Sequence, residues 1–67
     1  MLTIEINGEK RQVQPELTVA GLLEQFGITG RRIAVERNRE IVPRAAWGSA
    51  QVADGDKYEV IELVGGG

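Results

Sequence analysis

The sequence predicts an α+β roll, a small mixed sheet wrapped on one helix. Three observations lead there. Leu2, Ile4 and Ile6 alternate with Thr3 and Glu5, the period-2 pattern of a half-buried strand. Val19, Leu22, Leu23 and Phe26 fall at i, i+3, i+4 and i+7, a single apolar helical stripe. The other apolar runs are short and bounded by turn residues, as strands are. The order reads β-β-α-β-β-β.

Asn7-Gly8 closes the first strand as a hairpin, because a type I′ turn needs positive φ at both central residues. The second strand runs from about Lys10 to Gln14, with Val13 inward and polar neighbours that suit an edge. Pro15 has no N–H for a ladder and marks its end. Thr18 is placed to cap the helix. Gly27 stands at C′ and Ile28 at C″ over Leu23 at C3, the pattern of a Schellman stop. Gly21 is out of place, since glycine in a helix interior costs about 1 kcal/mol against alanine; close approach of helix to sheet is the expected reason. The third strand spans about Ile33 to Arg37, with Ile33 and Val35 inward. A turn at Asn38-Arg39 leads to a short strand, Glu40-Ile41-Val42, ended by Pro43. Arg44 to Trp47 reads as a single helical turn, and Asp54-Gly55-Asp56 as a turn into the last strand, Tyr58 to Val64.

That last strand is apolar on both faces. Tyr58 and Val60 share one parity, Ile61 and Leu63 the other. One face must cover the helix. The second is either an exposed patch for a partner or the ordinary outcome for a central strand. Charge is also uneven. Residues 31–44 hold five arginines against two glutamates, a local net of +3, and residues 51–64 hold one lysine against four carboxylates, a net of −3. Such polarity orients a molecule on a partner or simply keeps a surface solvated.

With 67 residues the chain makes one domain at most, and one that buries only roughly 60% of its unfolded surface. Apolar residues are 42%, charged residues 27%, and the net charge is −2, a globular composition. Mild acidity argues against nucleic-acid or anionic-membrane binding, which need a basic footprint. No run approaches a membrane span and the N-terminus lacks signal-peptide organisation, so a cytoplasmic location is expected. Cysteine and histidine are absent, which excludes disulfides, Cys/His metal sites, thiol nucleophiles and imidazole catalysis. Asp54-Gly55-Asp56 lacks the further ligands of a calcium loop, and Gly27-Ile28-Thr29-Gly30 is too short and ill-placed to cradle phosphate. No cofactor is expected.

The remaining chemical group is the end of the chain. The domain is expected over residues 1–64, with Gly65, Gly66 and Gly67 as a flexible tail presented to partners. The α-carboxylate of Gly67 is ionised at neutral pH, and inside an activating enzyme it can attack the α-phosphate of ATP to give an acyl-adenylate. Sulfur can then displace AMP and leave a thiocarboxylate. Glycines suit this role: they have no Cβ, accept any φ and thread a narrow channel. The plainer alternative is a frayed end.

The ordered set Asn7-Gly8, Thr18-Val19 with Leu22-Leu23, Ala34-Val35-Glu36-Arg37-Asn38, Ile41-Val42-Pro43-Arg44, Trp47, Asp54-Gly55-Asp56 and the terminal glycines resembles the ThiS family. These are sulfur carriers of thiamine biosynthesis in the β-grasp, ubiquitin-like superfamily. The resemblance covers the whole chain. It implies adenylation of Gly67 by a ThiF-type enzyme, conversion to a thiocarboxylate, and sulfur transfer to the thiazole built by a ThiG-type synthase. The chain would be a carrier and not an enzyme, with ATP bound by its partner. Gly66-Gly67 match the family's terminal pair, and Gly65 stands where another small residue is frequent. Ile61 and Leu63 are the candidate partner-binding face. Two other readings stay open: a carrier like the small subunit of molybdopterin synthase, and a ubiquitin-like modifier or interaction domain.

Overall fold

A computed structural model describes residues 1–63. Five strands form one mixed sheet: β1 (Leu2–Ile6), β2 (Glu9–Val13), β3 (Ile33–Arg37), β4 (Glu40–Ile41) and β5 (Lys57–Glu62), in the order β2-β1-β5-β3-β4. The helix α1 (Val19–Gln25) packs on one face, so the predicted roll is present. The central pair, β1 and β5, is parallel, with Ile6 beside Tyr58; the other pairs are antiparallel. No helix among the described residues is long and apolar enough to cross a membrane.

Local chemistry explains the elements. Asn7 and Gly8 have φ of 49° and 84°, as a type I′ hairpin demands. β2 carries exposed charged and polar residues along an edge and buries only Val13. The helix stop is a Schellman motif: the Ile28 N–H donates to Leu23 O at 2.8 Å and the Gly27 N–H to Glu24 O at 3.1 Å. Gly27 has φ of 68°, a conformation that side-chain-bearing residues resist. α1 therefore ends at Gln25, and Phe26, the last residue of the apolar stripe, is its C-cap, as Gly27 at C′ requires.

The start of α1 is satisfied by a distant segment. Val19 N–H donates to Ala50 O and Ala20 N–H to Trp47 O, both at 2.9 Å, while Gly21 N–H donates to Thr18 Oγ1 at 3.1 Å. The amides of the first three helical residues, which lack an intrahelical acceptor, thus each find one. Gly21 does not serve close packing on the sheet. A Cβ there would meet Leu17 Cδ1 at 2.9 Å and Thr18 Oγ1 at 3.5 Å, so the crowding comes from the helix's own approach.

Strand limits differ from expectation in β2, β4 and β5; β2 spans Glu9–Val13 and not Lys10 to Gln14. β4 stops at Ile41, although the Val42 N–H still donates to Val35 O at 2.8 Å before Pro43 turns the chain away. β5 begins at Lys57 and ends at Glu62, so Leu63 lies past it and Val64 is outside the described residues. Arg44–Ala46 is a single 3₁₀ turn, as expected. The core is Ile4, Ile6, Val13, Val19, Leu22, Leu23, Val35, Val42, Val52 and Tyr58. Val52 belongs to no strand and no periodic pattern; its N–H donates to Leu17 O, which seats it there.

Candidate functional site

Gly65, Gly66 and Gly67 lie outside the described residues. What the structure shows is the place from which they continue. β5 pairs on one side with the whole of β3, from Arg37↔Tyr58 to Ile33↔Glu62. On its other side β1 reaches only Tyr58. The Asn7 side chain carries that edge one step further, its Oδ1 accepting the Val60 N–H at 2.8 Å. The last described tie is the Leu63 N–H, which donates to Arg32 O at 2.6 Å.

The two faces of β5 differ as its parity requires. Tyr58 is buried and Val60 half-buried against α1 and the core. Ile61 and Leu63, the candidate partner face, are 45% and 54% exposed. Ile61 stands opposite Ala34 on the face away from the helix. Ile41 on β4 shares that face, opposite Glu36, and is 60% exposed; the sequence reading placed it in a strand without singling it out. Glu36 and Glu59 oppose each other on the same face. Like charges directly across a sheet are destabilising; Lys57, two residues before Glu59 on β5, brings a positive charge to the same face.

Beneath the sheet's other end, the turn before β5 is held by its own carboxylates. Asp54 Oδ1 accepts the Thr3 N–H at 2.8 Å. Asp56 is buried, 7% exposed. Its Oδ2 accepts the Ala53 N–H at 2.9 Å and the Tyr58 hydroxyl at 2.8 Å, and its Oδ1 accepts from Asn38 Nδ2 at 3.2 Å. Asn38 also takes the Lys57 N–H on Oδ1 at 3.0 Å. These oxygens point at protein donors, and no group of three or more potential metal ligands occurs among the described residues. Burial pushes the Tyr58 phenol well above its ordinary range, the hydrogen bond and charge of Asp56 push the same way, and Arg37 opposes them.

A second set of contacts surrounds Arg32. The Arg44 guanidinium donates to Arg31 O at 2.8 Å, with a longer contact to Gly30 O at 3.5 Å. It lies 4.4 Å from the centroid of the Trp47 ring, within cation–π range. Trp47 Nε1 donates to Val42 O at 2.8 Å. Gly30 has φ of 145°, a backbone conformation open to glycine and little else, and lets the chain turn into β3.

Comparison with known proteins agrees with this architecture along almost the whole chain. The family described as the ThiS family matches residues 4–67, a span that includes the terminal glycines. The chain is 44% identical over 66 residues to the thiazole synthase of Paramagnetospirillum magneticum, covering 98% of itself and 20% of that protein. It spans the same 20% of a second thiazole synthase, from Magnetococcus marinus, at 35% identity. It is 33% identical over 66 residues to the sulfur carrier protein ThiS of Escherichia coli, covering 98% of itself and 100% of that protein. The crystal structure of a ThiS thiamine biosynthesis protein from Geobacter metallireducens superposes with a TM-score of 0.86 at 30% identity, covering 98% of this chain and 100% of that one. A five-stranded mixed sheet on one helix with this match is the ThiS-like β-grasp fold, and the chain belongs to the ThiS family.

Proposed function

We propose that this protein is a sulfur carrier of thiamine biosynthesis and that its working group is the carboxylate of Gly67. In a ThiF-type enzyme, which binds the ATP, a carboxylate oxygen attacks the α-phosphate and pyrophosphate leaves. A sulfide-equivalent nucleophile then attacks the acyl carbon, the acyl–oxygen bond breaks, and AMP leaves. The product is a thiocarboxylate, whose sulfur passes to the thiazole formed by a ThiG-type synthase. The folded body, residues 1–64, presents Gly65, Gly66 and Gly67; Ile61 and Leu63 form the face that docks on these enzymes. The carrier works in the cytoplasm, beside its ATP-using partner.

The observation that carries this reading is the family match from residue 4 to residue 67, which takes in the terminal glycines as well as the fold. The named thiazole synthases that contain a stretch like this chain support the partnership with a thiazole-forming enzyme. The absence of cysteine and histidine from the sequence is consistent with a carrier.

Intact-mass analysis of the protein from its native cell tests the proposal. The expected product carries one sulfur in place of one oxygen at the C-terminus. Deleting Gly67 is expected to abolish loading while the domain stays folded. Isopeptide adducts on other proteins, or a Gly67-deleted chain that still supplies sulfur to a ThiG-type synthase, would overturn it.

A further inference from the structure

We infer that Arg44 is a positioning residue: stacked on Trp47, it fixes the loop whose Arg32 carbonyl forms the last anchor of β5, and so sets the point from which the C-terminal segment departs. This rests on the carrier reading above and names the device that aims the reactive end.

The chain of contacts is continuous. Trp47 is tied to the helix and to the residue just past β4 at once, because its carbonyl accepts the Ala20 N–H and its indole donates to Val42 O. Arg44 is carried by the 3₁₀ turn that ends at Trp47, whose own N–H donates to Arg44 O at 3.1 Å. Its guanidinium reaches from that platform to Arg31 O. The next residue, Arg32, accepts the Leu63 N–H. The segment between α1 and β3 has no regular structure of its own and contains Gly30 in its wide-open conformation, so it depends on such ties for its shape. A planar guanidinium held by a ring face and aimed at a carbonyl is pre-organised in a way that a lysine ammonium is not. Arg44 is an exposed residue, so the tie lies at the surface beside the exit, not in the core.

The test uses the full chain in three variants: Arg44→Ala, Arg44→Lys and Arg31→Ala. Arg31 is an exposed neighbour of the same charge whose contribution to the tie is its backbone carbonyl. Amide hydrogen exchange at Leu63 is the direct readout, since the anchor is its N–H. Exchange there is expected to rise about tenfold in Arg44→Ala, to rise less in Arg44→Lys, and to match the parent in Arg31→Ala, with core amides such as Val35 and Tyr58 unchanged in all three. Adenylation by a ThiF-type enzyme, followed as ATP–pyrophosphate exchange, is expected to lose about fivefold or more in kcat/KM in Arg44→Ala and to hold in Arg31→Ala. Unchanged Leu63 exchange in Arg44→Ala would overturn the inference. Equal kcat/KM losses in Arg44→Ala and Arg31→Ala would overturn it too, because charge alone would then explain them. A parent chain that is never adenylated would defeat the carrier reading instead, and the exchange measurement would still decide the role of Arg44.

Discussion

Asp56→Ala is expected to be the most damaging single substitution outside the apolar core. The carboxylate accepts three hydrogen bonds, from Ala53 N–H at 2.9 Å, Tyr58 Oη at 2.8 Å and Asn38 Nδ2 at 3.2 Å, inside a site where Asp56 is 7% exposed. Hydrogen bonds to a charged group contribute about 1.5–3 kcal/mol each, and a buried donor left without an acceptor costs about 1–3 kcal/mol. The Tyr58 hydroxyl is such a donor, since Tyr58 is 2% exposed. The terms are not additive, and relaxation lets water reach the Ala53 amide, so the net loss is about 3 kcal/mol. A domain of this size holds only about 3–10 kcal/mol in total. At roughly 4–8 °C per kcal/mol the midpoint falls by about 12–24 °C. Far-ultraviolet circular dichroism melting measures it. Tyr58→Phe in a double-mutant cycle isolates the shared bond, with an expected coupling of about 1–2 kcal/mol. A variant that melts within about 3 °C of the parent would refute the assignment of Asp56 as the acceptor that organises the entry to β5.

Raised above its unfolded value near pH 10, the Tyr58 phenol stays protonated in the fold while the unfolded chain ionises. The contribution of Tyr58 to stability is therefore fully present below about pH 10 and is lost as pH rises beyond it; Tyr58→Phe is expected to flatten that alkaline loss in urea titrations, even with lower stability at neutral pH. Gly21→Ala gains up to about 1 kcal/mol of helix propensity but places a Cβ 2.9 Å from Leu17 Cδ1, the movable end of a side chain. The net change in unfolding free energy from denaturant titration is expected to stay within about 1 kcal/mol, and a loss beyond about 2 kcal/mol would show that Leu17 cannot give way. Ile61→Asp changes a residue that is 45% exposed, so stability is expected to fall by no more than about 1 kcal/mol, while affinity for a ThiF- or ThiG-type partner falls at least tenfold by titration calorimetry. A large loss of melting temperature with unchanged affinity would remove Ile61 from the docking face.

Local patterns made much of this protein legible before any coordinates. Alternation in Leu2–Ile6, the Asn7-Gly8 turn, the Val19–Leu23 stripe and the Gly27-Ile28 stop each depend on residues within a few positions of one another. Short-range sterics and burial parity decide such features, so sequence suffices. Parity also separated Tyr58 and Val60 from Ile61 and Leu63, although only the assembled sheet showed the second pair to be exposed.

Sequence by itself therefore determined the elements and their inward faces. Tertiary structure alone decided what closes across distance: carbonyls of Trp47 and Ala50 capping α1, Asn7 and Asn38 reaching β5 with their side chains, Asp56 turned inward to Tyr58, and Arg44 spanning to Arg31. The physical reason is that a hydrogen-bonding group carries no mark of its partner. An asparagine in a turn or an arginine after a proline reads as solvated until folding brings an unpaired amide or carbonyl within 3 Å of it, and the requirement that polar groups shielded from water be satisfied then assigns the pair.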